Sequence, residues 1–469
     1  MLGSAASLTL VTLFGLALGF AREWLLVSAW GAGAQSDAFL VALFLPEAVR
    51  MSLAGGLLSA AALPLYLAED EVGRRRWMGA LLPQLALIGL AVALLVVVTA
   101  PWIVGVIGLG LSDTGQVQAG DTLRLLAWCI PGFVLHALLS VPLQASERFV
   151  MAGLGSVLFN APPVIYLASM GAQSSVSGVA EACVLGSVLM AGSLLPWQWK
   201  QGWRPWRSNG SLQALRLLGR RMLPLVGSNA ASQGLALLER SVASLLGEGA
   251  VTWVNLARKL VNLPLVALMS LNQVLLGLMS SRADTQRIPL LRRGVETASL
   301  LALPAGIGLV GAAPALVALL LPSSLGADPL PALLAWFALP LVFGCWNALL
   351  ARYAYSTGDT VQPLYCELLG SGVNALLLLA LPWWLGLAGI PLAAVAGVLV
   401  TALALMRRQA LLGQLAWVRY WLCAGLLLGI SAGGLFGVAD TWLQLGLTTL
   451  FAAATLAGMA LILRPWRAA

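Results

Sequence analysis

LGFAREWLLVSAWGAGAQSDAFLVALFLPEAVR, residues 18–50, is two apolar segments joined by Gly31-Ala32-Gly33, and both segments carry charge inside them. Arg22 and Glu23 stand in the first; Asp37, Glu47 and Arg50 stand in the second. A charge at the centre of a helix in hydrocarbon costs about 2.5–3.5 kcal/mol on insertion scales, so it persists where it meets a polar cavity or a partner. Arg240, Arg258 and Lys259 occupy the same kind of setting further along. Glu23, Asp37, Glu47 and Glu239 are too few to neutralise these five cations. The surplus points to membrane helices lining a cavity that receives an anion. Snorkelling from a helix end is the plainer account of Arg258 and Lys259, but it suits Arg22 poorly, because apolar residues continue on both sides.

The whole chain agrees with a membrane reading. Of 469 residues, 60% are hydrophobic and 9% charged, against about 25% charged in soluble domains. The fold class is therefore an all-α polytopic membrane protein. The net charge of +8 belongs to cytoplasmic loops rather than to a nucleic-acid surface. Five cysteines without metal-ligand spacing read as packing residues. The N-terminus lacks a basic leader and reads as a first membrane helix.

At about 20 residues per crossing, apolar segments fall near 4–26, 36–66, 78–108, 121–145, 151–170, 177–198, 222–246, 250–281, 296–321, 330–353, 363–382, 386–406, 418–437 and 441–463, about fourteen helices. Lys and Arg collect in every second loop: Arg74-Arg75-Arg76, Arg148, Lys200 to Arg221, Arg282 to Arg293, Arg352 and Arg407-Arg408, with Arg464 and Arg467 in the tail. The alternate loops contain none. The positive-inside rule then places both termini in the cytoplasm. Residues 199–221 read as an amphipathic cytoplasmic connector on anionic headgroups, flanked by interfacial tryptophans such as Trp197 and Trp199.

An internal repeat divides the chain. An offset of 218 positions brings Arg22 onto Arg240, Gly31-Ala32 onto Gly249-Ala250, Leu45-Pro46 onto Leu263-Pro264 and Met51-Ser52-Leu53 onto Met269-Ser270-Leu271. Repeated bundles are a transporter architecture. The expected organisation is an N-lobe of six helices at 1–198, the connector at 199–221, a C-lobe of six at 222–406 and two further helices at 407–469.

The opening signature, Leu18-Gly19-Phe20-Ala21-Arg22-Glu23, Gly31-Ala32-Gly33, Ser36-Asp37-Ala38-Phe39, Leu45-Pro46 and Arg50, resembles the MviN/MurJ family. Weaker similarity continues at Leu238-Glu239-Arg240, Ala257-Arg258-Lys259-Leu260, Gly358-Asp359-Thr360 and Asn374. The resemblance implies the V-shaped, pseudo-symmetric fold of the multidrug/oligosaccharidyl-lipid/polysaccharide (MOP) exporter superfamily. It also implies a flippase, without catalytic residues, that carries undecaprenyl-pyrophosphate-linked saccharide across the inner membrane. By the same resemblance Arg22, Asp37, Arg50, Arg240, Arg258 and Lys259 are the substrate-binding candidates, since guanidinium forks suit a pyrophosphate. Glu239, Asn374 and Glu367 are the candidates for coupling to sodium, protons or the membrane potential. Leu16 and Met51 stand where peptidoglycan flippases carry arginines, Glu47 replaces an asparagine, and Gly55 and Asn262 replace glutamates. Those departures favour an exopolysaccharide substrate and a member resembling PslK, with polysaccharide polymerase or export proteins as partners; a lipid II flippase is the alternative.

Other chemistry finds little support. No metal-ligand cluster, Walker loop or Ser-His-Asp set stands out, so no cofactor is expected. His136, the sole histidine, reads as a hydrogen-bonded packing residue. A drug/cation antiporter would favour acids over arginines in its cavity. A membrane glycosyl-transfer enzyme would need larger outer loops than these.

Overall fold

In lipid no water satisfies the backbone, so long apolar runs close their hydrogen bonds internally as helices. The computed structural model describes residues 2–54, 57–146, 148–200, 212–262, 284–321, 329–356, 361–409 and 440–463, and contains no strand among them. Two compact units divide the chain, Met1–Thr252 and Trp253–Ala469.

The first unit holds α1 (Leu2–Trp30), α2 (Ala34–Ala54), α3 (Leu57–Leu67), α4 (Glu71–Ile107), α5 (Asp113–Leu126) and α6 (Cys129–Ala145). It continues through α7 (Phe149–Gly153), α8 (Gly155–Met170), α9 (Val176–Gly192), α10 (Leu195–Lys200) and α11 (Leu212–Ser244). Helix α12, residues 250–262, straddles the boundary. The second unit holds α13 (Asp284–Leu320), α14 (Pro329–Ser356), α15 (Val361–Leu385), α16 (Gly389–Arg408) and α17 (Thr441–Leu463).

Ten stretches among the described residues are long and apolar enough to cross a membrane, and the protein is a multi-pass membrane protein. Each expected segment except 418–437 coincides with a helix, 250–281 only over its described part. The segment 418–437, much of the connector (201–211) and Leu263-Pro264 of the repeat lie outside the described residues, so the total of fourteen is not closed by direct observation. Helix α11 is not among the ten, because Ser228, Asn229, Ser232 and Gln233 dilute its middle.

Exposure in this fold reports lipid rather than water. Leu87, Val98 and Trp102 on α4 are 66%, 75% and 82% exposed, which suits a hydrocarbon surround. Inside the first unit α1 packs on α8, α8 on α9, α6 on α4 and α9, and α2 on α5 and α6. Gly186 lets α9 approach α8 closely, since a Cβ there would strike the Phe159 carbonyl. That carbonyl has no intrahelical N–H to receive, because position 163 is proline. The close approach fixes Phe159 and Asn160 against α1 and α2. In the second unit α13 packs on α14 and α17, and α15 on α16. There the Trp346 indole donates to Ser299 at 2.8 Å.

Two turns match across the repeat. Gly31 follows α1 with φ 75° and Gly249 precedes α12 with φ 82°. An L side chain in this left-handed region costs about 1–2 kcal/mol, which is why the Gly-Ala pair recurs at both places.

Candidate functional site

The charges of the opening stretch converge within the first unit. Arg22 on α1 is fully buried. It donates to Asn160 Oδ1 at 3.0 Å and to Glu23 Oε1 at 3.2 Å, and lies 3.6 Å from Glu47 Oε2. Arg50 on α2 donates to Glu47 Oε1 at 2.7 Å and reaches Ser156 Oγ at 3.5 Å. Glu47 therefore bridges the two guanidiniums. Beneath both lies the Phe159 ring, with its centroid 5.8 Å from Arg22 Cζ and 5.0 Å from Arg50 Cζ. The helical spacing of residues 47 and 50 brings them to one face, and α8 supplies Ser156, Phe159 and Asn160.

Two arginines thus meet two glutamates, and the positive surplus expected from the sequence is absent from this cluster. The physical reason is that Glu47 reaches across helices to Arg22 as well as along its own turn to Arg50, which a count along the chain does not reveal. Such pairing is what makes burial tolerable, since an unpaired charge at this depth would carry the whole desolvation penalty.

A cavity of about 470 Å³ opens beside Arg50. Thr12, His136, Ser140, Gln144 and Ser156 contribute to its wall, as do the apolar Leu16 and Met51. Arg22 is not on that wall. It stands behind Arg50 and holds Glu47. His136 is buried as a packing residue, with its ring against Gly155 and beside the Ala152 backbone. Sequence reasoning also missed Asn160 and Ser156. The signal was available, because Asn160-Ala161-Pro162-Pro163 places an amide in an otherwise apolar segment.

The other candidates sit elsewhere. Asp37, 1% exposed, accepts from Gly249 N at 2.7 Å, from Thr252 N at 2.8 Å and from Thr252 Oγ1. Its carboxylate caps the N-terminus of α12, a favourable place for negative charge. Arg240 donates to the Leu40 carbonyl at 2.6 Å and lies over Phe44 at 4.9 Å, and Glu239 beside it is half-buried. Arg258 and Lys259 belong to the second unit, where Arg258 is exposed and lies over Phe337 at 5.2 Å. On α15, Asn374 is half-buried and Glu367 exposed. No group of three or more His, Cys, Asp or Glu suited to a metal occurs among the described residues.

Comparison with known proteins points in one direction. The family model described as "Lipid II flippase MurJ" matches residues 26–456. The chain is 30% identical to the lipid II flippase MurJ of Burkholderia cenocepacia over 317 residues, 64% of this chain and 61% of that protein. It is 25% identical to the probable lipid II flippase MurJ of Vibrio cholerae, across 96% of this chain and 91% of that one. A solved structure titled "Lipid II flippase MurJ, inward closed conformation" superposes with TM-score 0.85 at 18% identity, covering 97% and 98% of the two chains. An inward-facing multidrug resistance MATE transporter of the MOP superfamily gives TM-score 0.68, covering 86% and 95%. At these identities the structural likeness is one of fold, and the fold is that of the MOP superfamily.

Proposed function

The chain belongs to the family described as lipid II flippase MurJ, and on that footing we propose that it moves a polyprenyl-pyrophosphate-linked saccharide of the lipid II class from the inner to the outer leaflet of the cytoplasmic membrane. The observation that carries this reading is Arg50, a guanidinium on the wall of a cavity between apolar helices, with one terminal nitrogen 2.7 Å from Glu47. A pyrophosphate leaving water must have its hydration replaced, and the remaining N–H groups of Arg50 are suited to that task. The polyprenyl tail stays in lipid throughout, so only the head group needs a polar route.

Both termini lie in the cytoplasm under this proposal, following the Lys- and Arg-free alternate loops. An inside-negative potential supplies about 2.3 kcal/mol per charge per 100 mV. Glu239, Asn374 and Glu367 are the residues through which inward movement of sodium or protons would drive the cycle. Expression as the sole flippase in cells depleted of their own lipid II flippase should sustain growth. Lysis despite normal membrane levels of the protein would overturn the proposal.

One observation favours a second reading. Leu16 and Met51 face the cavity at positions where the family resemblance expects arginines, so its wall offers less charge to a peptide-bearing head group. An exopolysaccharide intermediate with mainly neutral sugars would suit such a wall. Deletion that abolishes one exported polysaccharide and leaves growth intact would select that reading.

A further inference from the structure

We propose that Asn160 is a positioning residue that divides Glu47 between the two arginines and thereby sets how strongly Arg50 holds a diphosphate. This deepens the flippase reading and rests on it. Asn160 is 2% exposed, and its neighbours allow the side-chain amide one orientation. Its Nδ2 donates to the Ser156 carbonyl at 2.9 Å and to the Gly15 carbonyl at 3.5 Å. Turning the amide over would set its oxygen against both carbonyls, so Oδ1 faces Arg22 and accepts from Nη1 at 3.0 Å. Helix α8 comes near enough for this because residue 15 of α1 is glycine. A Cβ there would lie 2.9 Å from Ser156 Cβ and Oγ.

That hydrogen bond bears on Glu47 through Arg22. Glu47 Oε1 accepts from Arg50 at 2.7 Å, whereas its Oε2 stands 3.6 Å from Arg22 Nη2. Arg22 Nη2 donates instead to Glu23 at 3.2 Å, and Nη1 donates to Asn160. N–H···O bonds run to about 3.2 Å, so Arg22 is tethered just short of one with Glu47. The carboxylate meanwhile stays with Arg50 and offsets its charge. Arg22 is fully buried and off the cavity wall, so its influence on a bound anion runs through Glu47. Without the Asn160 oxygen a buried guanidinium N–H would lose its acceptor, a costly state, and Glu47 Oε2 is a charged acceptor already within 3.6 Å. As Arg22 closes on Glu47, the hold on Arg50 weakens and Arg50 turns more of its charge to the cavity. The Phe159 ring lies under both guanidiniums, so the carboxylate can pass between them while both keep that face. Ser156 Oγ, one turn before Asn160 on α8, reaches Arg50 at 3.5 Å. One helix thus gives a neutral acceptor to each arginine and holds the balance between them.

The test is titration of polyprenyl diphosphate onto the full-length protein in nanodiscs. Asn160→Leu, close in size and without an acceptor, should bind it about threefold more tightly than wild type, the scale of one net hydrogen bond. Asn160→Ala removes the same oxygen with less bulk and should shift affinity in the same direction. Asn160→Asp keeps an acceptor for Arg22 and should bind no more tightly than wild type. In a Glu47→Gln background Asn160→Leu should add nothing, because the carboxylate that it redistributes is gone. A residue that merely packed α8 against α1 would act equally in both backgrounds. Unchanged or weaker binding by Asn160→Leu and Asn160→Ala alike, equal tightening by Asn160→Asp, or an effect that persists with Glu47→Gln overturns the positioning role and leaves the flippase reading standing. A wild type that does not bind polyprenyl diphosphate overturns both.

Discussion

Substituting Glu47 by Gln should make the protein less stable and its grip on anions stronger at the same time. Glu47 Oε1 lies 2.7 Å from Arg50, and Oε2 lies 3.6 Å from Arg22. The side-chain exposures are 22% for Glu47, 7% for Arg50 and 0% for Arg22. Removing one member of a buried pair costs about 3–5 kcal/mol. Glutamine keeps an acceptor oxygen and position 47 keeps some solvent, so we expect a loss of about 2 kcal/mol. The opposite sign holds for binding. A unit charge removed ~6 Å from a bound phosphate is worth roughly 2–3 kcal/mol at an effective dielectric of 20. With screening, at least a roughly fivefold tightening of polyprenyl diphosphate should remain. The assays are reversible unfolding in bilayer-like detergent and lipid titration in nanodiscs. A double-mutant cycle with Arg50→Gln isolates the pair: the double variant should be less destabilised than the sum of the singles by about 1 kcal/mol or more. Additive losses, or weaker diphosphate binding in Glu47→Gln, would refute the bridge.

Arg22→Ala should lower the yield of folded protein as well as transport, because Glu23 and Glu47 would be left buried without it; a loss of about 3–5 kcal/mol is expected. Stability within about 1 kcal/mol of wild type would show that Arg22 is not the anchor of the cluster. Asp37→Ala should cost about 2 kcal/mol by uncapping α12, with Asp37→Asn milder, and hydrogen exchange at Gly249 and Thr252 should rise first. Gly249→Ala should cost about 1–2 kcal/mol from its left-handed backbone, and more from contact with the Ala32 carbonyl, 2.9 Å from the new Cβ. Cysteines placed at Arg75 and Thr114 should label from opposite faces of the membrane, and labelling from one face would dismiss the topology.

The helices were legible because their determinants are local. Apolar runs of membrane length, Lys and Arg in alternate loops, and Gly-Ala at 31–32 and 249–250 are all readable along the chain. The participants in the site were half legible. Arg22 and Arg50 stand out against hydrocarbon by their cost alone, and the structure brings them to one glutamate. What joins them was not legible, since Asn160 and Ser156 lie more than a hundred positions away and reach the arginines only through the packing of α8 on α1. Asp37 carries the same lesson in reverse: its charge reads as a cavity feature, yet its oxygens meet the backbone of α12. His136 was legible as a buried packing residue, because a lone histidine on an apolar helix usually finds a partner, here the Ala152 backbone. The room for its ring comes from Gly155, nineteen positions away in sequence.

The central claim is outward movement of a lipid-linked saccharide by way of the Arg50 wall, and leaflet-resolved detection of lipid II measures it most directly. Cells holding this chain as their only flippase should present lipid II to a membrane-impermeant lipid II-cleaving enzyme added from outside. Arg50→Gln at equal abundance should leave lipid II protected on the inner leaflet. Lipid II protected in cells carrying the wild-type chain, or equally exposed by Arg50→Gln, would contradict the account.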